Sequence, residues 1–372
     1  MTGIPSVQFL GIDIVSFLVF LGIIFCVFLA ISLTLNLEFG LTGIPNFGKA
    51  MFVSVGGAVG GSFAYRLTEI LLRINTHGDD IYFNPVIISQ ITPILQSNIL
   101  FAAGIFMATV AVAAGVGALV GFLASYPAIK LREDYLGMLL LAAGEFWIIF
   151  QTAYSPLIGG TQGMLLPNTL AATESVQGLH DVFFLGIAAV FALLVFIYAE
   201  KVAKSPLGRT LRAIRDNEFA SEALGKDNVA IRRRVLIIAS AISAVTGALF
   251  TMYQSYIDPL QYGRELYTFW PWVMVIMGGA GNNYGVVLGA IVFALIYNVT
   301  FQTGTSISGT VIQQYIPISI TRLEPIIVGT LLILVLLFRP QGIIPEKATK
   351  TLSRERLQWI VESVVGRKKQ AE

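Results

Sequence analysis

Of 372 residues one is cysteine, Cys26, and two are histidine, His77 and His180. A lone thiol excludes an intrachain disulfide, and two imidazoles far apart in sequence with no cysteine cluster offer no metal-ligand spacing. Charge is equally scarce. Asp, Glu, Lys and Arg make up 12% of the chain, hydrophobic residues 55%, and the mean hydropathy is +0.76. A soluble domain carries roughly twice that charge. The balance of 24 Lys and Arg against 22 Asp and Glu leaves only +2, so no basic footprint points to a nucleic-acid partner.

What the chain does contain is a series of apolar stretches of roughly twenty residues, the length that crosses a bilayer. They lie near 14–35, 47–65, 99–126, 135–154, 181–200, 235–257, 284–301 and 324–338, with a shorter one at 267–280. None alternates with the period of a barrel strand, so each must satisfy its backbone internally as a helix. The expected fold is an all-α integral membrane protein. It would be a polytopic bundle of about eight to ten transmembrane helices, broken or re-entrant where a stretch is short or interrupted by glycine. One transmembrane domain over 1–345 would be followed by a basic tail, 346–372. The first stretch has no Lys or Arg before it and is longer than a signal core, so it reads as a retained span.

Orientation follows from basic residues, which cytoplasmic loops retain. Nine of the 24 fall in 201–234 and eight from Arg339 onward, which puts both segments inside a cell membrane. None lies between Arg132 and Lys201, which puts 155–181 outside and the 130–132 turn inside. With 257–269 and 302–323 also outside, the apolar piece between them must enter and return, turning near Gly278, Gly279 and Gly281. The 352–365 tail, with Leu357, Trp359, Ile360 and Val361 among Lys and Arg, reads either as an interfacial helix on membrane lipid or as a solvated segment.

Residues 43–50 nearly spell a phosphate-binding loop, but Ala50 lacks the hydroxyl that would hold magnesium and Pro45 lacks an amide donor. No nucleotide site is expected here. Instead Gly40, Gly43 and Gly48 surround Pro45 and Asn46, a pattern for a helix broken beside a solute path. The following Gly56-x-x-x-Gly60 spacing equally suits close helix crossing, and both can hold. The outer Gly159-Gly160-Thr161-Gln162-Gly163 segment exposes backbone and uncharged hydrogen-bonding groups, to receive a small solute or a docking protein, or simply as a surface turn. Glu145 is an ionisable residue inside a span, either functional or hydrogen-bonded to a neighbouring helix. No serine elbow, Cys–His pair or carboxylate pair is discernible, so neither a catalytic residue nor a metal or cofactor is expected.

The 205–225 segment is a charged island. Ser205 is placed to cap, Pro206 to open and Gly225 to stop a helix over 206–224. Arg209, Arg212, Ala213 and Asp216 would share neighbouring faces, with Leu211, Ile214, Ala220 and Leu224 as apolar anchors. Such punctuation suits a partner-docking helix, where a solvated loop would need only charge.

This island, Ser205-Pro206-Leu207-Gly208-Arg209-Thr210-Leu211-Arg212-Ala213-Ile214-Arg215-Asp216-Asn217-Glu218 followed by Ser221-Glu222-Ala223-Leu224-Gly225, resembles the cytoplasmic coupling loop of branched-chain amino-acid ABC permeases. The LivM-type subunits are the nearest in pattern. Further matches follow in order at Gly40 to Gly48, Leu131 to Leu136, Gly144-Glu145, Gly159 to Gly163, Ala241 to Leu249, Met277 to Asn282 and Arg339-Pro340-Gln341-Gly342, covering about residues 30 to 345. The resemblance implies a non-catalytic permease subunit that pairs with a second permease subunit, two cytoplasmic ABC ATPase subunits and an extracytoplasmic solute-binding protein. Glu222, Ala223 and Gly225 would dock in a groove on the ATPase, flanked by Arg209, Arg212, Arg215 and Asp216. Gly43, Asn46, Gly48, Glu145, Gly159, Gly160, Thr161, Gly163, Gly278, Gly279 and Gly281 would serve the solute path or its gates. Lys49, Asn46 and the long outer loop between Arg66 and Asn98, with His77, Asp79 and Asp80, depart from the pattern. Related permeases carry leucine, isoleucine and valine, but also urea and short amides. An ion-coupled carrier or an intramembrane enzyme, each built on Glu145, are the rival readings.

Overall fold

The computed structural model describes residues 8–9, 12–72, 85–128, 133–171, 179–307 and 324–346. Two short antiparallel pairs, β1 (Gln8–Phe9) with β2 (Ile12–Asp13) and β3 (Met164–Leu165) with β4 (Tyr256–Ile257), are the strands among these residues. The remainder is chiefly helix: α1 (Ile14–Leu35), α2 (Lys49–Leu72), α3 (Pro85–Ser97), α4 (Ile99–Ala128), α5 (Glu133–Ala153), α6 (Ser155–Ile158) and α7 (Leu179–Lys204). The short α8 (Pro206–Asp216) and α9 (Glu218–Ala223) precede α10 (Asn228–Gln254), α11 (Trp270–Gly278), α12 (Asn283–Ile307) and α13 (Glu324–Phe338). Six of the described helices are long and apolar enough to cross a membrane: α1, α4, α5, α7, α10 and α12. The all-helical, polytopic expectation therefore holds.

The centre of the bundle is α10, which packs along α2 and α4, and α1, which packs against α7, α10, α11 and α12. Glycine sets how near α2 and α10 come. A methyl group built at Gly56 would overlap the Ala244 carbonyl, and one at Gly247 the Val53 carbonyl, so the two backbones touch. The close-crossing reading of Gly56-x-x-x-Gly60 is thus met, since Gly60 likewise abuts Ala248. Outward faces are apolar, with Leu100 and Met107 on α4, Phe146 and Ile149 on α5 and Leu193 and Leu194 on α7 all exposed.

Cross-links place the helix ends on two faces. On one, α8 reaches Glu346 and the end of the first span, Asn283 donates to Glu200 at 2.9 Å, and Gly281 N donates to Asn36 Oδ1 at 2.8 Å. On the other, β3 pairs with β4 and Arg66 donates to the Pro156 carbonyl at 2.8 Å. The turn expected near Gly278, Gly279 and Gly281 joins α11 to α12 and lies on the first face beside Asn36. The segment between Arg66 and Asn98 differs from the long outer loop expected: α2 runs on to Leu72, and α3 buries Ile91 and Leu95. Pro93 lies inside α3, which continues through it. His77, Asp79, Asp80, the 130–132 turn and the 352–365 tail lie outside the described residues.

Candidate functional site

The first span does not end cleanly. After Leu35 it widens into a π-helical turn, Asn36–Leu41, then leaves helical geometry over 42–48 before α2 begins at Lys49. Gly43 has φ +79°, a conformation that favours glycine, and Pro45 cannot donate to a helical ladder. The interruption is sealed by protein. Ile44 N reaches the Glu38 carbonyl at 2.8 Å, Gly48 N reaches Asn46 Oδ1 at 3.0 Å, and Thr42 Oγ1 donates to the Leu37 carbonyl at 2.8 Å. A second π-turn, Glu265–Phe269, leads into α11 just before Pro271, whose missing N–H and bulky ring a widened turn accommodates. The two irregular stretches meet: Thr268 Oγ1 accepts from Ala50 N at 3.0 Å, Trp272 Nε1 donates to the Asn46 carbonyl at 3.2 Å, and the Trp272 ring lies 4.4 Å from Phe39 and 4.6 Å from Phe47.

Inside this junction sits an ion pair with no exposed surface. Lys49 Nζ lies 2.8 Å from Glu38 Oε2, and Asn46 Nδ2 donates to Glu38 Oε1 at 3.0 Å. Both carboxylate oxygens thus accept a bond, and the pair bridges the break from the π-turn to the first turn of α2. Asn46 and Gly48 belong to this assembly, and Lys49, one of the residues that depart from the expected pattern, supplies the cation paired with Glu38. Charges this deep are retained only when paired and hydrogen-bonded.

On the charged face, α8 starts as expected. Ser205 Oγ accepts from Gly208 N at 3.3 Å and Pro206 opens the helix. The single helix expected over 206–224 is, however, two. Asn217 is extended (φ −160°, ψ 101°) and its side chain accepts from Ala220 N at 3.0 Å, so it caps a separate α9 rather than continuing α8. Gly225, with φ +75°, ends α9, its N–H bonded to the Glu222 carbonyl at 2.8 Å. Of the four apolar anchors expected, Leu211 and Ile214 are buried, whereas Ala220 and Leu224 are exposed because the break turns α9 outward.

The arginines divide by face. Arg209 and Asp216 are exposed, as are Glu222, Ala223 and Gly225, while Arg212 and Arg215 point inward. Arg212 Nε pairs with Glu346 Oε1 at 2.6 Å and Arg215 Nη1 with Glu346 Oε2 at 2.9 Å. Arg215 also donates to the Gly40 carbonyl at the end of the π-turn. Glu346 is held in turn by the chain before it, where Ile343 N and Ile344 N each donate at 2.9 Å to the Met277 and Gly278 carbonyls and Asn282 Nδ2 donates to the Pro345 carbonyl at 3.0 Å. Gly43, Gly278, Gly279 and Gly281 therefore gather under α8: a side chain at Gly43 would press on Arg215, one at Gly281 on Glu346. On the other side, α9 is tied to α10 by Arg232–Glu218 at 2.8 Å and by Ser221 Oγ and Asn228 Oδ1 at 2.9 Å.

The remaining expected residues lie elsewhere. Gly159, Gly160 and Gly163 have positive φ, and their loop, with Thr161 exposed, packs on the opposite face through β3–β4 and a bond from Tyr256 OH to the Gln162 carbonyl at 2.9 Å. Glu145 is on α5, 3.4 Å from Arg264 Nε. Sequence reasoning passed over Glu38, Arg264, Asn36 and Glu346. Glu38 could have been found by the test that picked out Glu145, an ionisable residue in an apolar run. Glu346 could not, since it was assigned to the tail.

Apolar spans broken at glycine-rich turns, closed over a buried ion pair and gripped on one face by an amphipathic helix, describe a multi-pass, all-helical membrane protein. Residues 15–336 match the family described as branched-chain amino acid transport system / permease component, and the chain belongs to that family. It is 35% identical over 313 residues, 82% of this chain and 86% of the relative, to a probable branched-chain amino acid transport permease protein LivM of Methanocaldococcus jannaschii. It is 26% identical to the high-affinity branched-chain amino acid transport system permease protein LivM of Escherichia coli and 25% identical to that of Salmonella typhimurium. Those alignments take in 64% and 62% of this chain but only 57% and 55% of the bacterial proteins. No solved structure matches the chain.

Proposed function

We propose that this chain is the membrane-spanning permease subunit of an ATP-driven ABC importer for branched-chain amino acids. It works with a second permease subunit, two cytoplasmic ATPase subunits that hydrolyse ATP, and an extracytoplasmic solute-binding protein. In this reading α8, α9 and the 339–346 segment lie in the cytoplasm of a cell-membrane protein, and the 159–163 loop faces the binding protein. The family and the transport role for which its relatives are named supply the solute class.

The observation that carries the coupling role is the path of contacts leaving α8 and α9. Their outer surface offers Phe219 and Leu224, 85% and 80% exposed, beside Glu222, Ala223 and Gly225. Large apolar side chains on a charged, water-facing loop call for a partner surface. Their inner surface holds the Gly40 carbonyl through Arg215, Glu346 through Arg212 and Arg215, and α10 through Glu218. A displacement imposed by an ATPase on this pair of helices is delivered to the break in the first span, to the 279–282 turn and to α10 together. Switching between inward- and outward-open states then uses the two π-turns as the places where helix direction changes.

The test is uptake into proteoliposomes of this chain with its partner subunits, binding protein and internal ATP, compared with this chain alone. Leucine uptake only in the complete, ATP-supplied system is the expected result. Uptake of urea or acetamide instead would reassign the solute, and ion-driven uptake by the lone chain would overturn the importer reading.

A further inference from the structure

Glu145 lies about 18 Å along α5 from Glu133 and about 12 Å from Ala153, so it sits near the middle of its span. Its partner Arg264 comes from the segment between the Pro259–Tyr262 turn and the second π-turn. The pair is not buried within this chain: the Glu145 side chain is 38% exposed and that of Arg264 53%. It opens on a face where Met138 and Ile149, seven residues before and four after Glu145 on the same side of α5, are 67% and 63% exposed. Opposite charges open at this depth cannot rest against hydrocarbon without a heavy penalty, so water or protein covers them. In the importer proposed above a second permease subunit would supply that cover, and an aqueous passage between the two chains would run past the pair.

We propose that Glu145 and Arg264 form this chain's share of an intramembrane site for the charged head of a zwitterionic amino acid. The site rests on the importer reading above and deepens it. The Glu145 carboxylate takes the ammonium group and the Arg264 guanidinium the carboxylate, each a charge-assisted hydrogen bond that replaces the pair's own contact. Met138 and Ile149 give the aliphatic side chain an apolar wall. Placement beside a π-turn fits the rule that transporter sites form near the midplane where helices are discontinuous. Urea and short amides carry neither charge and would gain nothing from separating the pair, so the geometry favours amino acids over those solutes.

The single cysteine, Cys26, is buried in α1, so Cys26→Ala gives a background for adding a reporter thiol. Ile149→Cys, assembled with the partner subunits in liposomes, is treated with a hydrophilic thiosulfonate, which reacts only with a thiol in water. Labelling is expected, and leucine supplied on its binding protein is expected to slow it, whereas acetamide is not. Adding Glu145→Gln or Arg264→Gln should weaken the protection by leucine about tenfold or more, the effect of losing one charge-assisted hydrogen bond. Met138→Cys serves as a second reporter should the first variant fail to assemble. No labelling at either position places this face in lipid or a dry interface and overturns the proposal, as does protection that survives both charge removals. ATP-driven leucine uptake by the unsubstituted complex is measured alongside. Its absence would sink the importer reading, and its presence without protection would sink the site alone.

Discussion

Glu38 and Lys49 show how much one pair of residues can decide. Their side chains have no exposed surface, and Asn46 completes the coordination of Glu38. Removing one partner leaves a buried, unanswered charge and destabilises by about 3–5 kcal/mol, whereas replacing both with apolar residues of similar size is often near neutral. Lys49→Met is therefore expected to lose most of its folded yield, read as loss of the monodisperse peak and of thermal stability in detergent. Glu38→Leu with Lys49→Met should recover at least half of that loss. A single Lys49→Met as stable as the parent would mean the pair contributes little. Nothing in the sequence links these two residues, because eleven positions is three turns of an unbroken helix, about 16 Å and too far for an ion pair; only the break turns the chain back so that they meet. Glu145, by contrast, was legible as an ionisable residue within a span, although its partner Arg264, more than a hundred positions away, was not.

At the scale of elements, the apolar runs were legible because lipid leaves a spanning backbone no alternative to helix. The Ser205 cap, the Pro206 opening and the Gly225 stop were legible for the local reason that each fixes its own backbone. The break at Asn217 was not: the residue can sit within a helix or cap one, and the pinning of α9 to α10 through Glu218 and Asn228 settles the matter from a distance. Two predictions belong here. At Gly56 the α2 and α10 backbones touch, so Gly56→Leu must force them apart, with overpacking of about 1–3 kcal/mol or more; loss of assembled protein is expected, while Gly104→Ala, with open space around it, should assemble normally. Equal yields from both variants would show that the crossing is looser than described. The second concerns Glu346, which clasps Arg212 and Arg215. Glu346→Gln keeps the shape but removes two charge-assisted bonds, and uptake per ATP hydrolysed by the assembled complex should fall about tenfold, the scale of one such bond or more. Unchanged coupling would mean that the ion pairs to Glu346 carry none of the force that leaves α8.

Over the whole molecule, the charged loop and the segment after α13 were assigned to one side by their Lys and Arg, and the fold brings them together through Glu346. The 159–163 loop lies on the opposite face, against β4. What no single-chain pattern could reveal is that the end of the first span meets the 279–282 turn beneath α8, where Gly40, Asn36 and Gly281 touch. If α8 and α9 transmit force as proposed, a change confined to their outer surface should separate ATP hydrolysis from uptake without disturbing the bundle. Glu222 and Gly225 are suited to that test, since both are exposed and a side chain added at Gly225 meets nothing within 4 Å in this chain. Its φ of +75° makes a bulky replacement strain α9's end by about 1 kcal/mol, a local effect that a bundle of this size absorbs. Glu222→Lys and Gly225→Leu are thus expected to insert and assemble with the second permease subunit at parental levels. Leucine uptake should nevertheless drop at least about tenfold, since a docking contact misplaced by a charge reversal typically loses more than 1.4 kcal/mol. Arg209→Ala, on the same exposed side of α8, should show a smaller loss. Parental uptake in both main variants would remove this surface from the coupling path and leave the inward-pointing Arg212 and Arg215 without a driver.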